Sequence, residues 1–308
     1  MYEFHPILLE DHARIDRIRR SSGTTMSTFT FPILYLWQET LGYQIHLEDD
    51  FLLVRISRGA DETYMFPIGN PEKQRWFLEW CIKKSDHEQP VQLNFISPQA
   101  LPLLTSYGIK EAVDEDRDHF DYLGSLKAYL SMEGKKYQHI RKATRKFLKE
   151  HELKMEKINS GNIENVSRLA ATWEELNTHT GHNRITDTQA LCRAAEAYER
   201  LNLDGCLFWE DGQCVGLIIT SELSKNTLDI HFSKSIRRDQ GLDYYSKQMY
   251  FSCVASTYVY FNMEEDLGIE GIRNHKMLLN PIELQPSYKV NLVRYHENEG
   301  TILCTESL

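Results

Sequence analysis

The alternation of apolar and polar residues predicts a defined order of elements in the C-terminal half. Two β-rich runs in "CLFWEDGQCVGLIITSEL" (206–223) flank Asp211-Gly212, a pair typical of tight hairpin turns. A third strand, "TLDIHFSKSI", comes next, and a helix with apolar residues at three- and four-residue spacing begins after Gly241. Strand "TYVYF", a short helix over 268–276 and a last strand in "SYKVNLV" complete the series.

The N-terminal half shows the same order. "YQIHLEDDFLLVRIS" predicts a hairpin, "ETYMFPIG" a third strand, "EKQRWFLEWCIKK" a helix, "VQLNFIS" a strand and "PQALPLLTSYG" a second helix. Asn70 and Pro71 are the residue types expected at an N-cap and at the first helical position. The repeated order strand, strand, strand, helix, strand, helix predicts two α/β units, each a mixed sheet flanked by helices. We place them at 1–123 and 124–308.

An insert over 124–203 is predicted to supply the leading helices of the second unit. Apolar residues mark one face of a helix within 162–179, and Thr186 with Gln189 forms a candidate capping box for the next helix. The loop between these helices carries His179 and His182. These two histidines are candidates for binding a substrate or an anion, or their spacing could be incidental.

Composition narrows the functional classes. The 308-residue chain is 41% hydrophobic and has a formal charge of −10, which opposes non-specific binding to nucleic acid or to anionic membranes. The chain has no apolar run long enough to span a membrane and no signal-peptide pattern, so we expect a cytoplasmic protein. Because of the acidic balance, we expect that the protein does not bind DNA. Six scattered cysteines predict neither a zinc site nor a disulfide framework.

One basic segment departs from this acidic balance. "GKKYQHIRKATRKFLKEH" (134–151) predicts a helix with Tyr137, Ile140 and Phe147 on one side and cations elsewhere. Lys135, Arg141 and Arg145 are candidates for binding the phosphates of coenzyme A, a tRNA acceptor arm or a phospholipid headgroup. A solvated helix face explains the same pattern equally well.

The element order and the turn "SIRRDQGLD" (235–243) together resemble the GNAT acyltransferase superfamily. In that superfamily the turn binds phosphate, and Arg238 and Gly241 match its pattern, whereas Asp243 stands where a small residue is usual. The resemblance implies a site for coenzyme A or acyl-coenzyme A. Its candidate residues are Arg237, Arg238, Gln240, Gly241 and Leu242. The same residues also suit a helix start that holds no ligand, and Asp243 could either repel an anion or face away from it.

Four segments resemble a bacterial family of unknown function that shares the tandem GNAT fold of the C-terminal domain of phosphatidylglycerol lysyltransferase. They are "FPILYLWQE", "YMFPIGNP", "DYLGSLKAYLSMEGKKYQHIRKATRKF" and "FNMEEDLGIEGIRNHKMLLNP". The matching positions of the last segment are Asn262, Glu264, Asp266, Leu267, Gly268, Arg273, Lys276 and Pro281. The departures are Met263 in place of an Arg and Leu278-Leu279 in place of Ser-Tyr.

The resemblance implies that Asn262, Glu264 and Asp266 lie where a GNAT sheet opens beside the acyl carrier. One carboxylate would then accept a proton from an attacking amine, and Arg273 and Lys276 would bind the substrate or an anion. Structural roles are equally open. Asp266 could cap the following helix, Glu264 could pair with one of the cations, and Asn262 could complete a strand end.

Three functions follow from this reading. The first is transfer of an acyl group from acyl-coenzyme A to a small-molecule or peptide amine by direct attack. The second is an aminoacyl transferase that uses charged tRNA, and the third is a non-catalytic protein that binds coenzyme A or a nucleotide. We expect the ligand site in the second unit, because Pro71 lacks the backbone N–H that a phosphate turn in the first unit would need.

Overall fold

The chain folds into two compact units, each built around a mixed β-sheet. The computed structural model describes residues 2–59, 61–85, 90–109, 112–177, 187–237, 239–297 and 300–304. The first unit contains Met1–Asp121, Glu265–Ile269 and Gln285–Leu308, and the second contains Tyr122–Glu264 and Glu270–Leu284. Among the described helices, none is both long enough and apolar enough to cross a lipid bilayer.

The first unit holds the elements of the N-terminal half. Its helices are α1 (His12–Ser22), α2 (Phe31–Leu41), α3 (Pro71–Lys84) and α4 (Leu101–Ser106). Its strands from this half are β1 (Tyr43–Leu47), β2 (Phe51–Arg58), β3 (Asp61–Met65), β4 (Ile68–Gly69), β5 (Val91–Ile96) and β6 (Val113–Glu115). Two later strands, β14 (Tyr288–Glu297) and β15 (Gly300–Cys304), join the same sheet. The strand order is β1-β2-β3-β5-β14-β15, with β4 beside β2 and β6 beside β14.

The second unit holds the remaining elements. Its helices are α5 (Leu126–Ser131), α6 (Gln138–Glu150), α7 (Glu164–Asn177), α8 (Thr188–Glu196), α9 (Gln240–Val254) and α10 (Glu270–Leu278). Its strands are β7 (Asp121–Ser125), β8 (Lys154–Lys157), β9 (Asp204–Glu210), β10 (Gln213–Ser224), β11 (Thr227–Ser235), β12 (Tyr260–Asn262) and β13 (Glu283–Gln285). The strand order is β13-β7-β12-β11-β10-β9-β8.

The repeated element order predicted from the sequence is confirmed. Each unit has an antiparallel hairpin, a third strand, a helix, a strand parallel to the third one, and a second helix. The parallel pairs are β3 with β5 and β11 with β12. The predicted class, two mixed α/β sheets flanked by helices, is therefore the observed one.

The compact units differ from the contiguous ranges 1–123 and 124–308 that we expected. The reason is β14, which pairs with β5 from Tyr288↔Ile96 to Leu292↔Val91 and also with β6. The last predicted strand therefore completes the first sheet. Local sequence signals identify a strand but not its partner, because any strand edge offers the same backbone N–H and C=O groups.

Local turn and cap chemistry agrees with the sequence. Asp211 and Gly212 have φ angles of +49° and +78°, as a two-residue hairpin turn between β9 and β10 requires. The side chain of Asn70 accepts hydrogen bonds from the backbone N–H groups of Glu72 and Lys73 and so caps α3. The predicted helix within 162–179 is α7, whereas Thr186 of the candidate capping box lies outside the described residues.

Helix α6 packs its predicted apolar face into the core of the second unit. Tyr137, Ile140 and Phe147 are buried and Thr144 is buried beside them. Helix α9 approaches this face so closely that a Cβ added to Gly241 would lie 2.6 Å from Cβ of Phe147 and 2.7 Å from the carbonyl oxygen of Ala143. The glycine therefore allows the two helices to touch.

Replacing Gly241 with Ala should destabilise the protein by about 1–3 kcal/mol, because the new methyl group overlaps the backbone of α6. Urea unfolding monitored by circular dichroism measures the change. Gly271→Ala is the matched control, since a Cβ at Gly271 meets nothing within 4 Å in α10. It should leave the stability unchanged or raise it by up to ~1 kcal/mol. Equal effects of the two substitutions would contradict the packing role of Gly241.

Candidate functional site

The sheet of the second unit opens between its two parallel strands. The pairing of β11 with β12 runs from Thr227↔Tyr260 to Asp229↔Asn262, where β12 ends. Strand β11 continues to Ser235 and remains paired with β10 on its other side. The edge of β11 that faced β12 therefore continues past the end of its partner, which creates an opening at the carboxyl end of β12.

A histidine occupies a β-bulge at this opening. Ile219 pairs with Phe232 and Thr220 pairs with Ile230, so His231 is the extra residue of β11. Bulges redirect side chains and are frequent beside active sites. Nδ1 of His231 lies 2.8 Å from Oε1 of Glu264, and Nε2 lies 2.8 Å from Oγ of Ser221. Serine, imidazole and carboxylate thus form a continuous hydrogen-bonded chain.

The protonation of this chain follows from its chemistry. Burial lowers the pKa of His231, against the opposing influence of the Asp229 carboxylate, so the neutral imidazole is favoured. An ionised carboxylate only accepts hydrogen bonds, so Nδ1–H donates to Glu264 and Nε2 accepts from the Ser221 hydroxyl. The side chain of His231 is fully buried, whereas 14% of the Glu264 side chain is exposed. Glu264 is therefore the member of the chain that solvent reaches.

The backbone around Glu264 is held in an unusual conformation. Glu264 has a φ angle of +58°, in the left-handed region that non-glycine residues rarely adopt. Oδ1 of the buried Asn262 accepts a 2.6 Å hydrogen bond from the Glu264 N–H. Nζ of Lys276 donates to the carbonyl oxygens of Met263 and Glu264. Asn262 and Lys276 therefore fix the turn that directs Glu264 towards His231.

The same group of side chains could hold a divalent cation. One ligand atom each from Asp229, His231 and Glu264 lies within 4.8 Å of the others. A histidine and two carboxylates suit zinc or a similar metal. Both ring nitrogens of His231 already have partners at 2.8 Å, so an ion would replace the hydrogen bond between His231 and Glu264.

Asp266, the third predicted catalytic residue, belongs to the first unit. Its carboxylate is fully buried, accepts a 3.1 Å hydrogen bond from Nη1 of Arg117 and accepts a 2.9 Å bond from the backbone N–H of Gly268. Asn262 and Glu264 belong to the second unit. The contacts of Asp266 suit a turn-stabilising role, and its catalytic role stays a prediction.

The predicted coenzyme A turn leads into α9. Oδ1 of Asp239 caps this helix by accepting hydrogen bonds from Gly241 N–H at 2.7 Å and Leu242 N–H at 3.4 Å. A carboxylate therefore occupies two of the amides that a pyrophosphate would use. The side chain of Leu242 is buried and Gln240 is the first residue of α9.

The remaining residues of that turn give less information. Arg237 forms an ion pair with Glu210 at 2.6 Å, and Arg238 lies outside the described residues. Asp243 forms an ion pair with Lys247, and its Oδ2 lies 3.4 Å from Nε2 of His275. Burial acts to raise the pKa of Asp243, but the charge of Lys247 lowers it overall, so the carboxylate stays ionised in the first turn of α9. A second fixed negative charge thus lies close to the predicted phosphate site.

The predicted anion-binding residues divide into structural and exposed groups. Arg141 donates to the carbonyl oxygens of Met132 and Gly134 and so closes the end of α5, while Lys135 and Arg145 are exposed to solvent. Arg273 is half-buried on α10. His179 and His182 lie outside the described residues.

Comparison with known proteins identifies the family. Residues 19–291 match the family described as phosphatidylglycerol lysyltransferase, C-terminal. The chain belongs to this family. A comparison of the sequence with curated proteins returns no significant match. Membership places the chain in a family named for aminoacyl transfer, which supports acyl or aminoacyl transfer as a class without identifying a substrate.

Solved structures with the same fold include other lysyltransferase-like domains. A conserved protein of unknown function from Bacteroides thetaiotaomicron is 24% identical, with a TM-score of 0.83 over 94% of this chain and 99% of that one. The C-terminal domain of a protein described as a lysylphosphatidylglycerol synthetase from Agrobacterium fabrum is 12% identical, with a TM-score of 0.62 over 92% of each chain. L-PGS from Bacillus licheniformis is 11% identical, with a TM-score of 0.61 over 90% of this chain and 91% of that one. The predicted fold of the lysyltransferase-like family is confirmed.

The sequence analysis did not select Ser221, Asp229 or His231. A signal for them exists in "TLDIHFSKS", where Asp229 and His231 alternate with the apolar residues of a buried strand. Polar side chains inside such a strand need partners, and this need marks them as candidates. The bulge that turns His231 towards Glu264 has no comparable sequence signature.

The burial of His231 predicts a pH-dependent contribution to stability. Its pKa is lowered in the folded state, so between this value and about 6.5 only the unfolded chain takes up the proton. The stability difference between the wild type and His231→Gln should therefore shrink by roughly 1 kcal/mol as the pH falls from 7.5 to 5.5. Urea unfolding at each pH measures it.

His119 provides a control of opposite sign. Burial acts to lower its pKa, but the hydrogen bond and the charge of Asp116 raise it overall. The stability difference between the wild type and His119→Gln should therefore grow as the pH falls over the same range. The same trend in both variants would contradict a neutral, buried His231.

Proposed function

We propose that this protein transfers an acyl group to an amine acceptor by direct attack of the amine, with Glu264 as the base. The observation that carries the proposal is the hydrogen-bonded chain of Ser221, His231 and Glu264 at the opening between β11 and β12. A carboxylate held by an imidazole and partly open to solvent suits a general base. Family membership supports the class of reaction.

The reaction forms one bond and breaks another. The amine nitrogen attacks the carbonyl carbon of the acyl donor, and Glu264 takes the proton that the amine loses. The carbon–sulfur or carbon–oxygen bond to the leaving group breaks, its electron pair leaves with the thiolate or alkoxide, and the proton on Glu264 passes to that group. In this scheme the edge of β11 beyond Asp229, past the end of its pairing with β12, supplies a backbone N–H to the developing oxyanion. His231 and Asn262 position Glu264, and no covalent intermediate on the enzyme is required.

Acyl-coenzyme A is the donor that we propose first. The third strand of the second unit leads through a turn into α9 as the GNAT resemblance implies, with Gly241 at the helix start. The carboxylate of Asp239 on the first amides of α9 opposes this assignment, so the pyrophosphate would have to displace it. A small-molecule or peptide amine is the proposed acceptor, and the cytoplasmic location stays a prediction.

A charged tRNA is the second candidate donor. The family is named for transfer of a lysyl group, and α6 with its flanks exposes Lys135, Lys142 and Arg145 in a chain whose formal charge is −10. Exposed cations on one helix suit a phosphate backbone. This donor needs no pyrophosphate at the start of α9.

Glu264→Gln should lower the rate of acyl transfer by about 10²–10⁴-fold, because the amide cannot accept the proton. Release of free thiol from acetyl-coenzyme A, measured across a panel of amines, gives the rate. If no thiol is released, the rate is measured instead as aminoacyl transfer from charged tRNA to the same panel of amines.

Glu270→Gln, a change at an exposed glutamate that begins α10, is the matched control and should retain the wild-type rate. Unchanged transfer by a folded Glu264→Gln protein would refute the role of Glu264 as base. A wild type inactive with both donors would favour the non-catalytic binding function.

Asp239→Asn should raise the affinity for coenzyme A roughly tenfold if the pyrophosphate binds at the start of α9. Asparagine still caps the helix, while removal of the charge removes about 1.4 kcal/mol of repulsion. A thermal-shift titration with coenzyme A, with ATP for comparison, measures the affinity.

Asp211→Asn on the β9–β10 turn is the matched control, since asparagine also tolerates a positive φ angle. Asp211→Asn should not change the affinity for coenzyme A. Coenzyme A binding that is absent from both the wild type and Asp239→Asn would exclude this turn as a pyrophosphate site and leave charged tRNA as the donor to test.

A further inference from the structure

A cavity of about 200 Å³ lies in the first unit where its parallel strands separate. The pairing of β3 with β5 ends at Met65↔Asn94, and the last hydrogen bond joins Phe66 N–H to the Asn94 carbonyl oxygen. The chain then turns at Pro67 into β4, which pairs with β2 instead. The cavity therefore occupies a strand opening of the same kind as the one beside Glu264.

The walls of the cavity combine aromatic and neutral polar side chains. Phe29, Phe66 and Phe95 supply aromatic rings, and Thr24, Gln74 and Ser97 supply polar groups. Among the described residues that line it, none carries a formal charge. Concave sites with an apolar wall and a few polar groups are typical of small-molecule binding.

The adjoining helix start offers no site for an anion. Pro71 has no backbone N–H, and the side chain of Asn70 already accepts from the N–H groups of Glu72 and Lys73. The ammonium group of Lys73 pairs with Glu48 and Asp50. The chemistry of the cavity therefore favours a neutral ligand over a phosphate or carboxylate.

Two residues in the wall of the cavity have positive φ angles, which are uncommon in strands and favour a functional role. Phe95 has a φ angle of +52°, which is rare for a bulky residue and concentrates at functional sites. Its ring also makes an edge contact with His119, with 4.7 Å between ring centroids. Gly69, also in the wall, has a φ angle of +105°, and a Cβ there would lie 2.1 Å from the carbonyl oxygen of Asp50. Gly69 therefore allows β4 to lie close to the backbone of Asp50.

We propose that this cavity binds a neutral small molecule with one aromatic ring and one hydrogen-bonding substituent. An apolar cavity of about 150 Å³ accommodates a benzene ring, so the volume here suits a single ring with a small polar group. The three phenylalanines contact the ring, and Gln74 or Ser97 meets the substituent. All lining residues belong to the first unit, whereas the proposed base Glu264 belongs to the second.

Benzamide and phenol are the probes, and benzoate has the same ring with a negative charge. Isothermal titration of the full chain should give a dissociation constant of about 1 mM or lower for benzamide, within the range expected for so small a ligand. Benzoate should bind at least tenfold more weakly. Gln74→Leu should lower the affinity for benzamide more than the affinity for unsubstituted benzene, because the leucine side chain has no hydrogen-bonding group.

Ala100→Phe fills the cavity and should reduce benzamide affinity at least tenfold, whereas Ser106→Phe adds the same ring at an exposed position on α4 and should not. Circular dichroism confirms folding, and Gln74→Leu decides the question if Ala100→Phe does not fold. Absence of benzamide and phenol binding at ten times the expected constant would overturn the proposal. Equal affinity for benzoate, or equal binding by all variants, would overturn it as well.

Discussion

The early end of the pairing between β11 and β12 is the constraint on which the candidate site depends. A parallel ladder that continued past Asp229 and Asn262 would satisfy the backbone groups of both strands and leave no opening. Where it stops, the buried amide of Asn262 replaces the missing strand partner by binding the Glu264 N–H. That hydrogen bond holds a left-handed backbone that costs about 1–2 kcal/mol in isolation. This backbone conformation places the Glu264 carboxylate beside His231.

The two units share one strand topology, but the openings between their parallel strands have different linings. Both contain a parallel strand pair that separates, at Met65 with Asn94 in one unit and at Asp229 with Asn262 in the other. The opening in the second unit holds a histidine and carboxylates, whereas the opening in the first is lined by phenylalanine and neutral polar groups. A fold therefore determines where a recess forms, and the residues that line it determine what the recess binds.

Much of the fold was predictable from local sequence because hairpins, caps and amphipathic helices depend on nearby residues. The turn at Asp211-Gly212, the cap at Asn70 and the buried face of α6 are examples. Asn262 and Glu264 were selected through family resemblance, but their partner His231 was not, because a bulge between β10 and β11 brings it there. The placement of β14 in the first sheet likewise depends on long-range pairing, for which periodicity gives no signal.

The position of β14 also affects the order in which the chain can fold during synthesis. The ribosome releases β5 long before β14, and the whole second unit is made between them. Until β14 emerges, the edge of β5 that it will cover presents unpaired N–H and C=O groups, which favour mispairing with other strands. Sheet completion in the first unit is therefore a late, high-contact-order step. During that interval the edge of β5 is open to association with strands of other chains.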